Sequence, residues 1–277
     1  MEEVQAIVRK YDPDRYLASL FAPTDKRPHL WALYAFSAEV SRIAGQVSEP
    51  HLAEIRLQWW LDTIDGIYHG DRQAHPVAQA LGEAIKIGDI PKHAVMNLTK
   101  AHQFDFYSDP MPSLFDLEAY LGETASALIQ MAAMILDRDR ALECAEAAGL
   151  AGVGYGMGRV LNDLPRAQRL KQCFLPMEML ARRQVKPDRL GARETEAGFA
   201  VVLAELRAQA QDRLAEMRRL RRTIKPEVAP AFLHVALADA YLSKAYKRGV
   251  SVLKRGCELS QLRKQWLLWK AARSEEF

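Results

Sequence analysis

The stretch GMGRVLNDLPRAQRLKQCFLP, Gly156 to Pro176, decides how the rest of the chain is read. It closes a helix expected over 139–162 and sets four cations (Arg159, Arg166, Arg169 and Lys171) around one carboxylate, Asp163. Positions four apart share one stripe of a helix, and the stripe through 159, 163 and 167 reads Arg, Asp, Ala. Pro165 has no N–H and its ring crowds the carbonyl four residues back, so it is expected to end or kink the helix there. Just upstream, GLAGVGYGMG (Gly149 to Gly158) has neither a preceding strand nor a Lys-Ser/Thr or G-x-G-x-x-G frame for a phosphate loop. It is expected to be helix, with small residues that let a neighbour or a ligand approach closely.

Outward from this segment the chain reads as helix after helix. Asp12-Pro13 supplies a capping side chain followed by Pro at the first helical position. Further helices are expected from Pro28, over 54–68, 76–88, 91–107, 114–136, 194–223, 227–254 and 259–272. No run alternates cleanly with period two, so strands are not expected. Gly and Pro together are about a tenth of the 277 residues, too few for a collagenous or turn-dense all-β chain. At 49% hydrophobic the chain is too apolar for disorder. The longest apolar stretch, Ala125 to Leu136, is 12 residues, and a membrane span needs about 20. The acidic N-terminus has no apolar signal region, and Cys144, Cys173 and Cys257 form no framework. A reducing, cytoplasmic setting is therefore expected.

The net charge of +3 hides an asymmetry: Arg207 to Arg273 carries 16 Lys/Arg against 5 Asp/Glu. A basic C-terminal third fits an anionic partner or a solvated helix face. It lacks a nucleic-acid reading motif, so no nucleic-acid role is expected. QLRKQWLLWKAAR (Gln261 to Arg273) has the composition of an interfacial helix on an anionic membrane, though Trp266 and Trp269 could equally be buried. The seven histidines show no metal-ligand spacing, and no Ser or Cys carries a nucleophile signature. Asp62 and Asp65 could share a cation, or simply face solvent.

Three blocks resemble the squalene/phytoene synthase family: YAFSAEVSRIAG (Tyr34 to Gly45), RLQWWLDTIDGIYHG (Arg56 to Gly70), and the Gly156–Pro176 segment. They occur in order, and the likeness extends from about residue 12 to 272. The resemblance implies the all-α isoprenoid synthase fold, one domain over 1–277, with about nine to eleven helices around a central cavity. It also implies head-to-head condensation of two prenyl diphosphates, in which Mg²⁺ bridges the leaving diphosphate to two Asp-rich helices. Here the positions matching the first acidic motif are Ser41, Arg42 and Gly45, and those matching the second are Arg159, Asp163 and Ala167. Only Asp163 keeps a carboxylate.

Within the family, AFSAEVSRIAGQVSE, IDGIY and LPRAQRLKQCFLPMEML resemble the branch containing the mitochondrial complex I assembly factor and its bacterial relatives. That branch implies an accessory role, with complex I subunits or assembly intermediates as partners and no cofactor. A related reading keeps the cavity as a binder of prenyl diphosphate or lipid phosphate, with Tyr34, Arg159, Asp163, Arg166 and Arg169 as ligand contacts, peripheral on the inner membrane. The alternative is an active squalene- or phytoene-type prenyltransferase. It needs Asp163 to bind Mg²⁺ with acids such as Asp62, Asp65 or Glu39 recruited beside it.

Overall fold

Asp12 caps the helix it precedes: its Oδ1 accepts the backbone N–H of Arg15 at 3.2 Å, with Pro13 at the first helical position. Ser113 and Asp137 start two further helices in the same way, accepting from Asp116 N at 3.1 Å and Arg140 N at 3.0 Å. The computed structural model describes residues 1–47 and 49–274. Among them there is no strand, and thirteen helices have six residues or more. They are α1 (Glu2–Tyr11), α2 (Pro13–Ser19), α3 (Arg27–Ser41), α4 (Pro50–His69), α5 (Pro76–Gly88), α6 (Lys92–Ala101) and α7 (Leu114–Leu136). Then follow α8 (Arg138–Glu143), α9 (Ala145–Arg169), α10 (Met177–Arg182), α11 (Glu196–Arg219), α12 (Ala238–Arg248) and α13 (Gln261–Ser274). The excess over nine to eleven comes from short pieces such as α8 and α10. The helix expected over 227–254 breaks at Gly249, whose φ of 51° lies in the left-handed region.

Two expectations about α9 meet different outcomes. The Gly-rich run is helical and closely packed: a Cβ at Gly152 would stand 2.3 Å from the Ser126 backbone, and one at Gly156 would stand 2.6 Å from Leu121. Ser126 closes a π-helical turn, Gly122–Ser126, that bends the register of α7 where the two helices cross. Pro165, in contrast, does not end the helix, which continues to Arg169. It removes one N–H near the C-terminus, while Leu161, Leu164 and Ala167 stay buried around it and hold the last turns in place.

Helix α7 is long and apolar enough to cross a membrane by length and composition, yet 67% of its most apolar window is buried inside the bundle. It is a core helix here. The buried apolar side chains form a connected cluster from Val4 to Ala271, with α9 packed between α7, α11 and α12. That central position puts one face of α9 on the cavity.

Candidate functional site

A cavity of about 490 Å³ lies between the α1–α2 junction, the C-terminal half of α3, α7 and α9. Ser41 and Arg42 line it from α3, and Arg159, Asp163, Arg166 and Ala167 line it from α9. The two motif stretches, some 120 positions apart, also touch: Arg166 donates from Nη2 to the Ser41 carbonyl at 3.2 Å. A Cβ on Gly45 would meet the same Nη2 at 3.5 Å. The two remaining ligand candidates fall elsewhere. Tyr34 is buried in the core, 2% exposed, with the Arg15 guanidinium 5.9 Å from its ring. Arg169 ends α9 exposed to solvent, and Lys171 beyond it is exposed as well; neither lines the cavity, although Gln172 and Phe174 just after them do.

Charge at the site is mostly cationic. Lys10, Arg15, Arg42, Arg159 and Arg166 line the cavity with three carboxylates, Asp12, Asp105 and Asp163. Each carboxylate already has protein donors. Asp12 pairs with Arg15 at 2.8 Å. Asp163 accepts from Asn162 at 3.1 Å and from Arg159 at 3.4 Å. Arg42, which replaces an acid of the first motif, stacks its guanidinium 3.3 Å from the Tyr11 ring.

Behind the Arg159 side chain sits a buried polar network. Asp14 is 1% exposed and accepts from the hydroxyls of Tyr155 and Tyr241, each at 2.8 Å, and from Lys264 Nζ at 2.7 Å. Burial alone would raise its carboxyl, but Arg159 and Lys264 outweigh that and hold it below the usual carboxylate range. Lys264 also pairs with Glu258, which lies 3.5 Å from Arg159. Arg159 is thus held by Asp14, Asp163 and Glu258 together.

One cavity cluster escaped the sequence reading. His102 Nδ1 lies 2.7 Å from Asp105 Oδ2, and the Tyr120 hydroxyl donates to Asp105 Oδ1 at 2.8 Å. With the carboxylate as acceptor, the Nδ1 proton is assigned to His102, which fixes the ring's tautomer. Spacing of three in HQFD was the available local signal; Tyr120 comes from a different helix and left none.

The donor set does not fit a Mg²⁺ cluster that bridges a diphosphate. Ser41, Arg42, Gly45, Arg159 and Ala167 supply no carboxylate, and Asp163 is held by Arg159 and Asn162. Among the described residues no group of three or more His, Cys, Asp or Glu side chains is placed to hold a metal ion. The acids considered as recruits lie elsewhere: Asp62 accepts from Gln58 on the exposed side of α4, Asp65 pairs with Lys92, and Glu39 faces His75 at 3.9 Å. None of the three lines the cavity.

With this geometry in hand, comparison with known proteins places the chain. The squalene/phytoene synthase family model matches residues 8–269. The chain belongs to the squalene/phytoene synthase family. It is 28% identical over 238 residues to NADH dehydrogenase (ubiquinone) complex I, assembly factor 6 of Bos taurus, covering 86% of this chain and 71% of that protein. It is 24% identical over 209 residues to phytoene synthase of Thermus thermophilus, covering 74% and 69%. The crystal structure of a dehydrosqualene synthase in complex with ligand superposes with a TM-score of 0.87 at 18% identity, covering 99% and 95%. This last likeness is one of fold: the family's all-α isoprenoid synthase architecture is the one described above.

Proposed function

We propose that this squalene/phytoene synthase-family chain is an accessory protein in the assembly of respiratory complex I. Its cavity holds a phosphate-bearing lipid through side-chain cations and does not turn over a prenyl diphosphate through Mg²⁺. The observation that carries this reading is the sign of the charge at and beside the positions that match the family's two acidic motifs: Arg42 and Arg166 both line the cavity there, Arg166 bonded to the Ser41 carbonyl. Expelling diphosphate requires its developing charge to be neutralised by bridging metals, and an acid-poor pair of stripes cannot hold them. Guanidinium groups bind phosphate oxygens directly, by paired N–H donors and without a bridging cation. The likeness to assembly factor 6 over most of both chains supports the partner assignment.

Depleting the protein in its native cells tests the first half. NADH:quinone oxidoreductase activity and the amount of mature complex on native gels are expected to fall together and to return with the wild-type gene. Turnover assays with farnesyl and geranylgeranyl diphosphate test the second half. No metal-dependent release of diphosphate is expected; Mg²⁺-dependent product formation abolished by Asp163→Asn would establish the prenyltransferase instead.

A further inference from the structure

Helix α13 has two apolar faces where a helix packed on one core needs a single one. Its inner face carries Lys264, Leu268 and Ala271, exposed by only 2%, 1% and 5%. On the opposite side Leu262, Trp266 and Trp269 are 78%, 58% and 51% exposed. At about 100° per residue, positions 262, 266, 269 and 273 fall within roughly 60° of arc, so they form one outward stripe. Cations accompany it: Lys270 Nζ lies 6.0 Å from the Trp266 ring centre, and the Arg273 guanidinium lies 4.9 Å from that of Trp269. Arg263 is exposed beside them, and α13 contains no acidic residue. Beside Ala272 lies a groove of about 230 Å³ lined by Phe21, Arg221, Ile224, Pro230 and Leu233, with Phe21 itself 43% exposed.

We infer that α13 docks this protein peripherally on an anionic lipid bilayer. Leu262, Trp266 and Trp269 seat at the boundary between headgroups and acyl chains, and Arg263, Lys270 and Arg273 rest on lipid phosphates. Three observations select that occupant. Indole rings join an apolar body to one N–H donor, the composition suited to an interface that is oily on one side and wet on the other. Among the described residues, the charge on α13 is of one sign and complements acidic headgroups. A second copy docked on the same stripe by a two-fold axis would bring these cations against themselves, which opposes a dimer there. The attachment is a surface one, because the inner face of α13 stays packed on the bundle through Leu268 and Ala271. Lys264 also holds the inner face to the buried Asp14. This inference does not depend on what fills the cavity.

Sedimentation of the full-length protein with vesicles provides the test. The probes are vesicles of phosphatidylcholine alone and of phosphatidylcholine with about one third phosphatidylglycerol. The wild type is expected to partition onto the anionic vesicles on the order of tenfold more strongly than onto the neutral ones, and less so as salt is raised. Trp266→Ser with Trp269→Ser is expected to weaken that partition on the order of tenfold with unchanged far-ultraviolet circular dichroism, since both rings are exposed. Arg263→Gln, Lys270→Gln and Arg273→Gln together are expected to remove the preference for anionic vesicles. Equal partition of the wild type on both vesicle types, or undiminished binding by the double tryptophan variant, would overturn the inference. So would a dimer in solution that the tryptophan changes dissolve, without any vesicle binding by the wild type.

Discussion

Asp14 and His234 sit on the same side of the cavity wall and respond to their surroundings in opposite ways. Asp14 keeps its charge because Lys264 and Arg159 compensate for its burial. Replacing Lys264 by Met keeps the volume but removes the closer of the two cations at that carboxylate, leaving Arg159 at 3.6 Å; the full loss of a buried partner costs about 3–5 kcal/mol, and a part of that is expected here. A correspondingly lower midpoint in urea unfolding is the expected readout, and adding Asp14→Asn to the variant is expected to recover part of the loss. His234 is fully buried against Tyr155, their ring centres 4.6 Å apart, and neither ring nitrogen has a hydrogen-bond partner. Burial first, and the nearby Arg15 guanidinium with it, drives its pKa well below the ordinary 6.5. The unfolded chain therefore binds a proton there that the folded one refuses. Stability is present in full above about pH 6.5 and declines as pH falls below it. His234→Leu is expected to flatten that decline between about pH 6.5 and 5 while leaving the steeper acid loss below about pH 4, where the unfolded chain takes up protons that the folded Asp14, held below the usual carboxylate range, resists.

At the level of the helices, the crossing of α7 and α9 is set by glycine. The Gly152 position leaves 2.3 Å between a hypothetical Cβ and the Ser126 Cα, and that neighbour is backbone, which cannot rotate away. Gly152→Ala is expected to cost about 1–3 kcal/mol or more, read as a fall in melting temperature, whereas Gly149→Ala, with open space around it, is expected to be neutral or stabilising. The close approach of α9 to a neighbour was readable from GLAGVGYGMG because small residues in a helix have few other uses. The passage of α9 through Pro165 was not, since a local rule about proline carries no information on the buried Leu161, Leu164 and Ala167 that hold the turn. The same limit explains the ligand candidates. Arg159, Asp163 and Arg166 line the cavity and Arg169 does not; proximity in sequence groups all four, and nothing in the sequence marks which of them faces the cavity.

For the molecule as a whole, the cationic lining predicts an anion site that needs no metal. Inorganic pyrophosphate in the presence of EDTA is expected to raise the melting temperature, because a ligand that binds only the folded chain stabilises it by mass action. Arg42→Gln with Arg166→Gln is expected to abolish the rise, while Arg169→Gln, at the exposed end of α9, is expected to preserve it. The fold itself was legible from the order and spacing of three blocks. Contacts across the chain were not: neither the Tyr120 contact to Asp105 nor the Lys264 contact to Asp14 leaves a periodic trace. The bond between positions 14 and 264 has a further consequence during synthesis. Asp14 emerges from the ribosome about 250 residues before the ammonium that neutralises it. A nascent chain lacking α13 must therefore keep this carboxylate hydrated or protonated and leave that wall of the bundle open. The interior seals only once α13 has been made, which gives quality-control proteases an interval in which copies still lacking it are distinguishable from closed ones.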